Sequence, residues 1–358
     1  MSAASEIDSL LDLSARIGGE PLLVQAGTGN TSIKLDGVLW IKASGKWLAH
    51  AVHDEILIPV NLAETRSRVE HNADPAGQTA MVGGKALAAS VETAMHAVLP
   101  HRVVLHVHSV NTIAFAVRKD GPAELAERLA GIHWQWIPYV PSGLPLARLI
   151  EAAVARDPRL SVLVLANHGL VVCGDDCAEA ESLLRDVERR VSVAPRPFPE
   201  PAWDTLYQIA GNGPWRPPQG STVHALGADP VSRRIASGGI LYPCQAIFLT
   251  PRSRAVPATC TEADLAALDD PFVLVEGAGV LLRHKPNPTQ LATFNGLVQV
   301  LQRVPDHAPV QYLGEAQVRD LLCADVYHYR ELVEDNGASR MPFQGISATD
   351  SAVLNLRS

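Results

Sequence analysis

Three histidines occupy positions from which they could hold a metal ion. His106 and His108 lie in Val103-Val104-Leu105-His106-Val107-His108-Ser109, an apolar, β-branched run that reads as a buried strand. Side chains two apart in a strand share a face, so the imidazoles project side by side. Neutral imidazoles so placed can take adjacent corners of a zinc coordination sphere. The alternative is a pair of sheet histidines with satisfied hydrogen bonds. His168 follows a second apolar run, Ser161 to Ala166, and precedes Gly169, which permits a sharp turn and a close backbone approach. By itself His168 caps a strand; with the pair it completes the ligand count of a catalytic zinc that keeps an open position. Glu92 precedes the pair by 14 residues. A carboxylate beside zinc can be a general base, or a fourth ligand that swings off when substrate arrives. The competing reading is a surface glutamate paired with a nearby cation. His96 reads as a packed helix residue rather than a ligand.

Two turns offer donors for an anion. Gly27-Thr28-Gly29-Asn30-Thr31-Ser32 and Ala43-Ser44-Gly45-Lys46 supply backbone N–H groups, hydroxyls and one cation. Both also read simply as turns. Neither is a Walker A loop or a complete Gly-x-Gly-x-x-Gly, so no nucleotide is implied. Glu276-Gly277-Ala278-Gly279 reads as a turn or bulge.

The elements that must carry these residues follow from pattern. Ile7 to Gly18 reads as an amphipathic helix. Ile33 to Leu35 and Val38 to Lys42 flank Asp36-Gly37, a hairpin signal, and Ile56 to Val60 reads as a third strand. Glu64 to Gly84 reads as irregular, and Lys85 to Val98 as a helix with Glu92 and His96 on one face. Further on, Val110 to Val117, Ala123 to Leu129, Leu146 to Ala155 and Ala178 to Val191 read as helices. Ile137 to Val140, Ser161 to Ala166 and Val171 to Cys173 read as strands. Strands and helices interleave, as in a layered α/β domain. Ala194 to Pro201 and Gly211 to Gly220 are rich in Pro and Gly and read as a linker region. We therefore expect a domain over residues 1–215 and a smaller α/β domain over 216–358. In the latter, Ile240 to Thr250 and Phe272 to Arg283 read as strands. Thr289 to Arg303 and Gly314 to Val333 read as helices, and the tail from Asn336 as loose. No internal repeat is legible.

Composition narrows the function. The chain has 358 residues and a net charge of −8, so it offers no basic field for a phosphate backbone and nucleic acid is not the expected partner, although a local cluster of donors can still take a small anion. No apolar run is long enough to span a bilayer and no secretory signal is visible. Five scattered cysteines argue against a disulfide framework and for a reducing, cytoplasmic setting; Cys173 and Cys177 read as structural.

In order along the chain, Gly29-Asn30-Thr31-Ser32, Ser44-Gly45, Ser90-Val91-Glu92, His106-Val107-His108 and Asn167-His168-Gly169-Leu170 resemble the class II aldolase/adducin family. The likeness runs from about Gly27 to Val191. Leu39-Trp40-Ile41-Lys42-Ala43-Ser44-Gly45 and Ser90-Val91-Glu92-Thr93-Ala94-Met95-His96-Ala97 are most similar to the aldolase half of bifunctional rhamnulose-phosphate aldolase/alcohol dehydrogenases, without the dehydrogenase half. The resemblance implies a three-layer α/β/α sandwich with a central, largely antiparallel sheet. It implies Zn2+, or another divalent metal, on His106, His108 and His168, with Glu92 as the acid/base residue. It implies that Gly29, Asn30, Ser44, Gly45 and Ser90 line a pocket for a phosphate or its substitute. It also implies a homo-oligomer, commonly a tetramer, acting on a small sugar or sugar phosphate. Two departures stand out. Val91 replaces the second serine of the fuculose-type Ser-Ser-Glu, which removes one phosphate hydroxyl. The bifunctional group often has Asp where this chain has Glu92.

The expected reaction is retro-aldol cleavage of a ketose or ketose 1-phosphate into a small ketone, such as dihydroxyacetone phosphate, and an aldehyde. A decarboxylase and a 4-epimerase are alternatives on the same fold, because each builds the same kind of charge. A non-catalytic, adducin-like interaction protein is the alternative from another class.

Overall fold

The computed structural model describes residues 2–322, which form two compact units with the break after Ser192. The tail from Asn336, and the expected helix beyond residue 322, lie outside the described residues. The first unit contains α1 (Ala3–Gly18), β1 (Asn30–Leu35), β2 (Val38–Lys42), β3 (Leu57–Asn61), α2 (Leu62–Glu70), β4 (Thr79–Val82), β5 (Lys85–Ala88), α3 (Thr93–Val98) and β6 (Val103–Val107). It continues with α4 (Val110–Ala116), α5 (Gly121–Arg128), β7 (Trp134–Ile137), α6 (Leu144–Arg156), β8 (Val162–Leu165), β9 (Gly169–Gly174) and α7 (Cys177–Val191).

Seven strands form one sheet in the order β3-β2-β1-β6-β9-β8-β7. Every neighbouring pair is antiparallel except β7 with β8. The β1–β2 turn puts Asp36 at φ +49° and Gly37 at φ +79°, the left-handed pair that a tight hairpin requires. Helices cover both faces. The α1 helix buries Leu10, Leu13 and Ile17, and α7 buries Leu184, Val187 and Val191. On the opposite face, Met95 and Leu99 pack with Leu146 and Ile150 of α6 against Val104, Leu163 and Val171 of the sheet. This is the expected three-layer sandwich with a mixed, mainly antiparallel centre.

Two local expectations fail. Residues 85–98 are not one helix: Lys85–Ala88 pairs antiparallel with Thr79–Val82, and the helix starts only at Thr93. Lys, Ala and Leu are good helix formers, but Gly83 and Gly84, at φ +56° and +76°, turn the chain into a hairpin. The segment 64–84 is accordingly ordered; Asn61 caps α2 by accepting the Glu64 N–H at 2.9 Å.

The second unit contains α8 (Trp203–Ala210), α9 (Ala225–Ala228), α10 (Pro230–Gly238), β10 (Arg254–Val256), α11 (Glu262–Ala266), β11 (Phe272–Val275), β12 (Gly279–Leu282), α12 (Pro288–Leu301) and α13 (Glu315–Leu321). Its three-stranded sheet has the order β10-β11-β12. The unit begins at 193, not 216, because the Pro-rich stretch is built into its core. Arg196 pairs with Asp229 at 2.6 Å, Ala202 N–H donates to Ala278 O, and Leu206, Ile209 and Trp215 pack with Val273, Val275 and Leu281. The apolar run 240–250 is not a strand; Gln245–Leu249 forms a short π-helical turn. Short apolar runs carry no period that tells strand from helix. The expected strand over 272–283 is two strands joined at Glu276-Gly277-Ala278.

Candidate functional site

The sheet brings the three histidines together. Asn30 on β1 lies opposite His106 on β6, and Val107 lies opposite Leu170 at the start of β9. His168 occupies the β8–β9 turn, where Asn167 takes φ +50°. Asparagine tolerates that conformation better than most residues. The turn is held from both sides: Asn167 N–H donates to Ala116 O at 2.9 Å and His168 N–H to Leu165 O at 3.1 Å. As a result, one ligand nitrogen each from His106, His108 and His168 lies within 4.8 Å of the others. All three rings are buried, with centroids 4.9 to 5.2 Å apart. The cluster could hold a metal ion.

Gly169 is required for its size rather than its φ. A Cβ there would stand 2.7 Å from Val107 O, 3.2 Å from His106 Cε1 and 3.3 Å from His108 Cδ2. Gly29, on the other side of β6, leaves the same lack of room against His106 O, at 2.7 Å. We expect Gly169→Ala to cost roughly 1–3 kcal/mol, since the contact is with backbone and cannot be relieved by a rotamer change. Thermal unfolding measures it; a wild-type midpoint would mean that the β6–β9 spacing is adjustable.

The electrostatics select the ligand form of the histidines. Burial lowers the His168 imidazolium to about 4 and that of His108 well below its ordinary range, so both are neutral at neutral pH. His106 Nδ1 donates to Leu170 O at 3.0 Å, so Nε2 is the nitrogen turned toward the cluster. That Nε2 is buried and has no hydrogen-bond partner. Glu92 does not share a helical face with His96; it precedes α3 and turns its carboxylate onto the cluster. Its Oε2 lies 3.3 Å from His106 Nε2 and its Oε1 3.3 Å from His168 Nε2. Burial alone would raise this carboxyl. Any proton on the surrounding imidazoles, and a hydrogen bond from Asn30, act against burial and lower it to about 2, so Glu92 is the group that carries charge here, as a carboxylate.

A chain of donors fixes that carboxylate. Asn30 Nδ2 donates to Glu92 Oε2 at 2.7 Å and to Ser90 Oγ at 3.2 Å. Asn30 Oδ1 accepts from His96 Nε2, and Ser32 Oγ donates to His96 Nδ1 at 2.7 Å. His96 is fully buried, and burial lowers it to about 3, consistent with the neutral ring these bonds require. Ser142 Oγ reaches Glu92 Oε1 at 3.4 Å. His96 is thus the packed residue expected, but its packing positions Asn30.

The donor turns converge on the same place. Ala43 bridges Ala89, and Ser44 N–H donates to Ala88 O at 2.8 Å, which sets the Ser44-Gly45 turn beside Ser90. Gly45 has φ +74°. Lys42 was missed by sequence reasoning. Its buried Nζ donates to Gly27 O at 3.1 Å and to Lys46 O at 2.6 Å, tying the two donor turns together. Burial lowers this amine to about 7, against the pull of Glu92. The available signal was a lysine at the end of an otherwise apolar strand. Ser90 is buried, whereas Val91 is 46% exposed.

The family model described as "Class II Aldolase and Adducin N-terminal domain" matches residues 9–194. A curated relative, the "Uncharacterized oxidoreductase YuxG" of Bacillus subtilis (strain 168), is 28% identical over 184 residues, covering 47% of this chain and 26% of that protein. This chain therefore spans about a quarter of that relative's length. Among solved structures, the N-terminal class II aldolase domain of a conserved protein from Thermoplasma acidophilum is 24% identical, with TM-score 0.44 over 53% of this chain and 94% of that one. The L-fuculose-1-phosphate aldolase of Thermus thermophilus is 18% identical, with TM-score 0.38 over 53% of this chain and 93% of that one.

Proposed function

The chain belongs to the class II aldolase and adducin family, and from that premise we propose that it is a metal-dependent carbon–carbon lyase acting on a ketose or ketose 1-phosphate. One observation carries this reading: three buried imidazoles converge beside an anionic carboxylate that faces two of them. The residues suit a divalent ion. A buried ring nitrogen without a hydrogen-bond partner is costly unless something binds it. Three imidazole ligands with one open position favour zinc. His106, His108 and His168 would hold the ion. When bound, it supplies a Lewis acid that polarises a carbonyl oxygen and stabilises the negative charge left by bond cleavage.

The remaining work falls to this chain's own side chains. Glu92 carries the proton to or from the carbon, and starts in the ionised form that can accept one. Asn30 and Ser142 orient its two oxygens, and His96 with Ser32 keeps the Asn30 amide turned so that its NH₂ faces Glu92. Gly29, Ser44, Gly45 and Ser90 offer the donors for the substrate's anionic or hydroxyl end. The motif likeness to rhamnulose-phosphate aldolases supports a sugar-phosphate substrate. Family likeness also supports a homo-oligomer, and the scattered cysteines a cytoplasmic setting.

Product analysis tests the reaction. Incubation with ketoses and ketose 1-phosphates is expected to yield a small ketone and an aldehyde. Release of carbon dioxide from an acid substrate would make it a decarboxylase, and an inverted alcohol with no fragments a 4-epimerase. Absence of turnover with metal loaded would favour an interaction protein.

The anion end has its own test. Val91 contributes no donor beside Ser90. Val91→Ser is expected to raise kcat/KM for a ketose 1-phosphate over its unphosphorylated parent by about tenfold, since one hydrogen bond to a charged group is worth roughly 1.5–3 kcal/mol. An unchanged ratio at fixed ionic strength would mean that the anion does not bind at this position.

A further inference from the structure

The second unit reproduces the backbone of the half of the first unit that carries the histidines. The hairpin β8–β9 pairs Val162 with Val172, Leu163 with Val171, Val164 with Leu170 and Leu165 with Gly169. The hairpin β11–β12 pairs Phe272 with Leu282, Val273 with Leu281, Leu274 with Val280 and Val275 with Gly279, each residue 110 later in the chain. Around them the hydrogen bonds recur. His168 N–H donates to Leu165 O and Ala278 N–H to Val275 O, both at 3.1 Å. Cys173 N–H donates to Ser161 O, and Arg283 N–H to Pro271 O. Asn167 and Gly277 take the same left-handed conformation, at φ +50° and +69°. Each donates to the helix packed beneath, Asn167 to Ala116 O and Gly277 to Gly227 O.

The neighbours recur too. A parallel strand flanks each hairpin with Ile137 beside Leu165 and Val256 beside Val275. Ala166 N–H donates to Ile137 O and Glu276 N–H to Val256 O, both at 2.9 Å. On the other edge Leu105 pairs antiparallel with Val172, and Arg216 with Leu282. A helix capped by Asp176 follows the first hairpin, and one capped by Asn287 follows the second.

The equivalences locate what has become of the metal cluster. Arg216 matches Leu105, so Pro217 and Gln219 follow where His106 and His108 follow in the first unit, and Ala278 matches His168. Pro217 and Pro218 have no N–H and cannot extend the ladder. Where Val107 pairs with Leu170, the imidazole of His224 intervenes instead. Its Nδ1 accepts from Val280 N–H at 3.0 Å and its Nε2 donates to Pro218 O at 3.1 Å. His224 is fully buried, and Trp203 packs edge-on against it at 4.7 Å. Gly279, the match of Gly169, is again a residue for which a Cβ has no room, standing 2.4 Å from His224 Nδ1.

We infer that the second unit is a degenerate internal copy of the metal-bearing half of the first, in which His224 has closed the position of the metal cluster. Both ring nitrogens of His224 are engaged by the backbone, and Ala278 offers no ligand. The copy is a structural body with a plugged site, and the described residues hold one metal centre rather than two. The metal count rests on the function proposed above; the plug does not.

A Co2+ titration followed by its absorption spectrum, together with thermal unfolding, tests this on the full chain and on His224→Ala. We expect one equivalent of Co2+ in both proteins. We also expect a midpoint lower by roughly 5–10 °C in His224→Ala, from two lost buried hydrogen bonds and a cavity. A second equivalent that survives His106→Ala and disappears in His224→Ala would overturn the inference. So would a His224→Ala chain that unfolds like wild type. If neither protein bound Co2+, the metal reading of the first unit would fall, while the unfolding comparison would still decide the plug.

Discussion

His106→Ala and His168→Ala are each expected to lose bound divalent metal and, with it, activity to background. The purified wild type should carry about one equivalent. In the proposed site each imidazole would supply one of three ligands on a rigid support: His106 on the sheet between β1 and β9, His168 on a turn held by two backbone hydrogen bonds. Loss of groups that merely orient a ligand costs 10- to 100-fold in metal affinity as a rule, so loss of the ligand itself should cost more than about 100-fold. Elemental analysis after dialysis reads the result. Wild-type metal content in both variants would sink the site, and with it the proposed reaction class. His168→Ala is the cleaner variant, because it truncates a turn residue, whereas His106→Ala also opens a cavity in the sheet.

Glu92→Gln separates binding from proton transfer. The amide is nearly isosteric and keeps a partner for Ser142, but it accepts no proton. We expect metal content and the unfolding midpoint to stay close to wild type while kcat falls about 10²- to 10⁴-fold. The Asn30 amide faces Glu92 Oε2 at 2.7 Å, so the substituted side chain should turn its own oxygen toward that donor. Its NH₂ would then face His168, which is one reason to measure metal content alongside rate. Turnover within a few-fold of wild type would remove Glu92 from the chemistry and leave it as a charge that balances the cluster.

Much of this site was legible in the chain. Alternation in a strand places His106 and His108 on one face whatever surrounds them. An apolar strand running into Asn-His-Gly marks a tight turn with a histidine at its tip. The Asp36-Gly37 hairpin followed from its turn chemistry alone. These are local rules, satisfied within a few residues, and the structure obeys them.

Longer-range relations were not legible. Residues 85–98 have helical propensity, yet Gly83-Gly84 and pairing with Thr79–Val82 make half of them a hairpin, and that is what frees Glu92 to turn inward. Lys42 and His96 look like ordinary strand and helix residues; only the fold shows that one ties the donor turns and the other holds Asn30. The Pro-rich stretch after 193 reads as a linker, because its role depends on partners such as Asp229 and Ala278 that are distant in sequence. The internal copy is the extreme case. Backbone register and a left-handed turn residue can persist while the side chains are exchanged, since hydrogen bonds between main chains do not depend on side-chain identity. In this chain the sequence alone determined which side chains could bind a metal; only the tertiary structure decided that one half of the pattern keeps its cluster open and the other has closed it with His224.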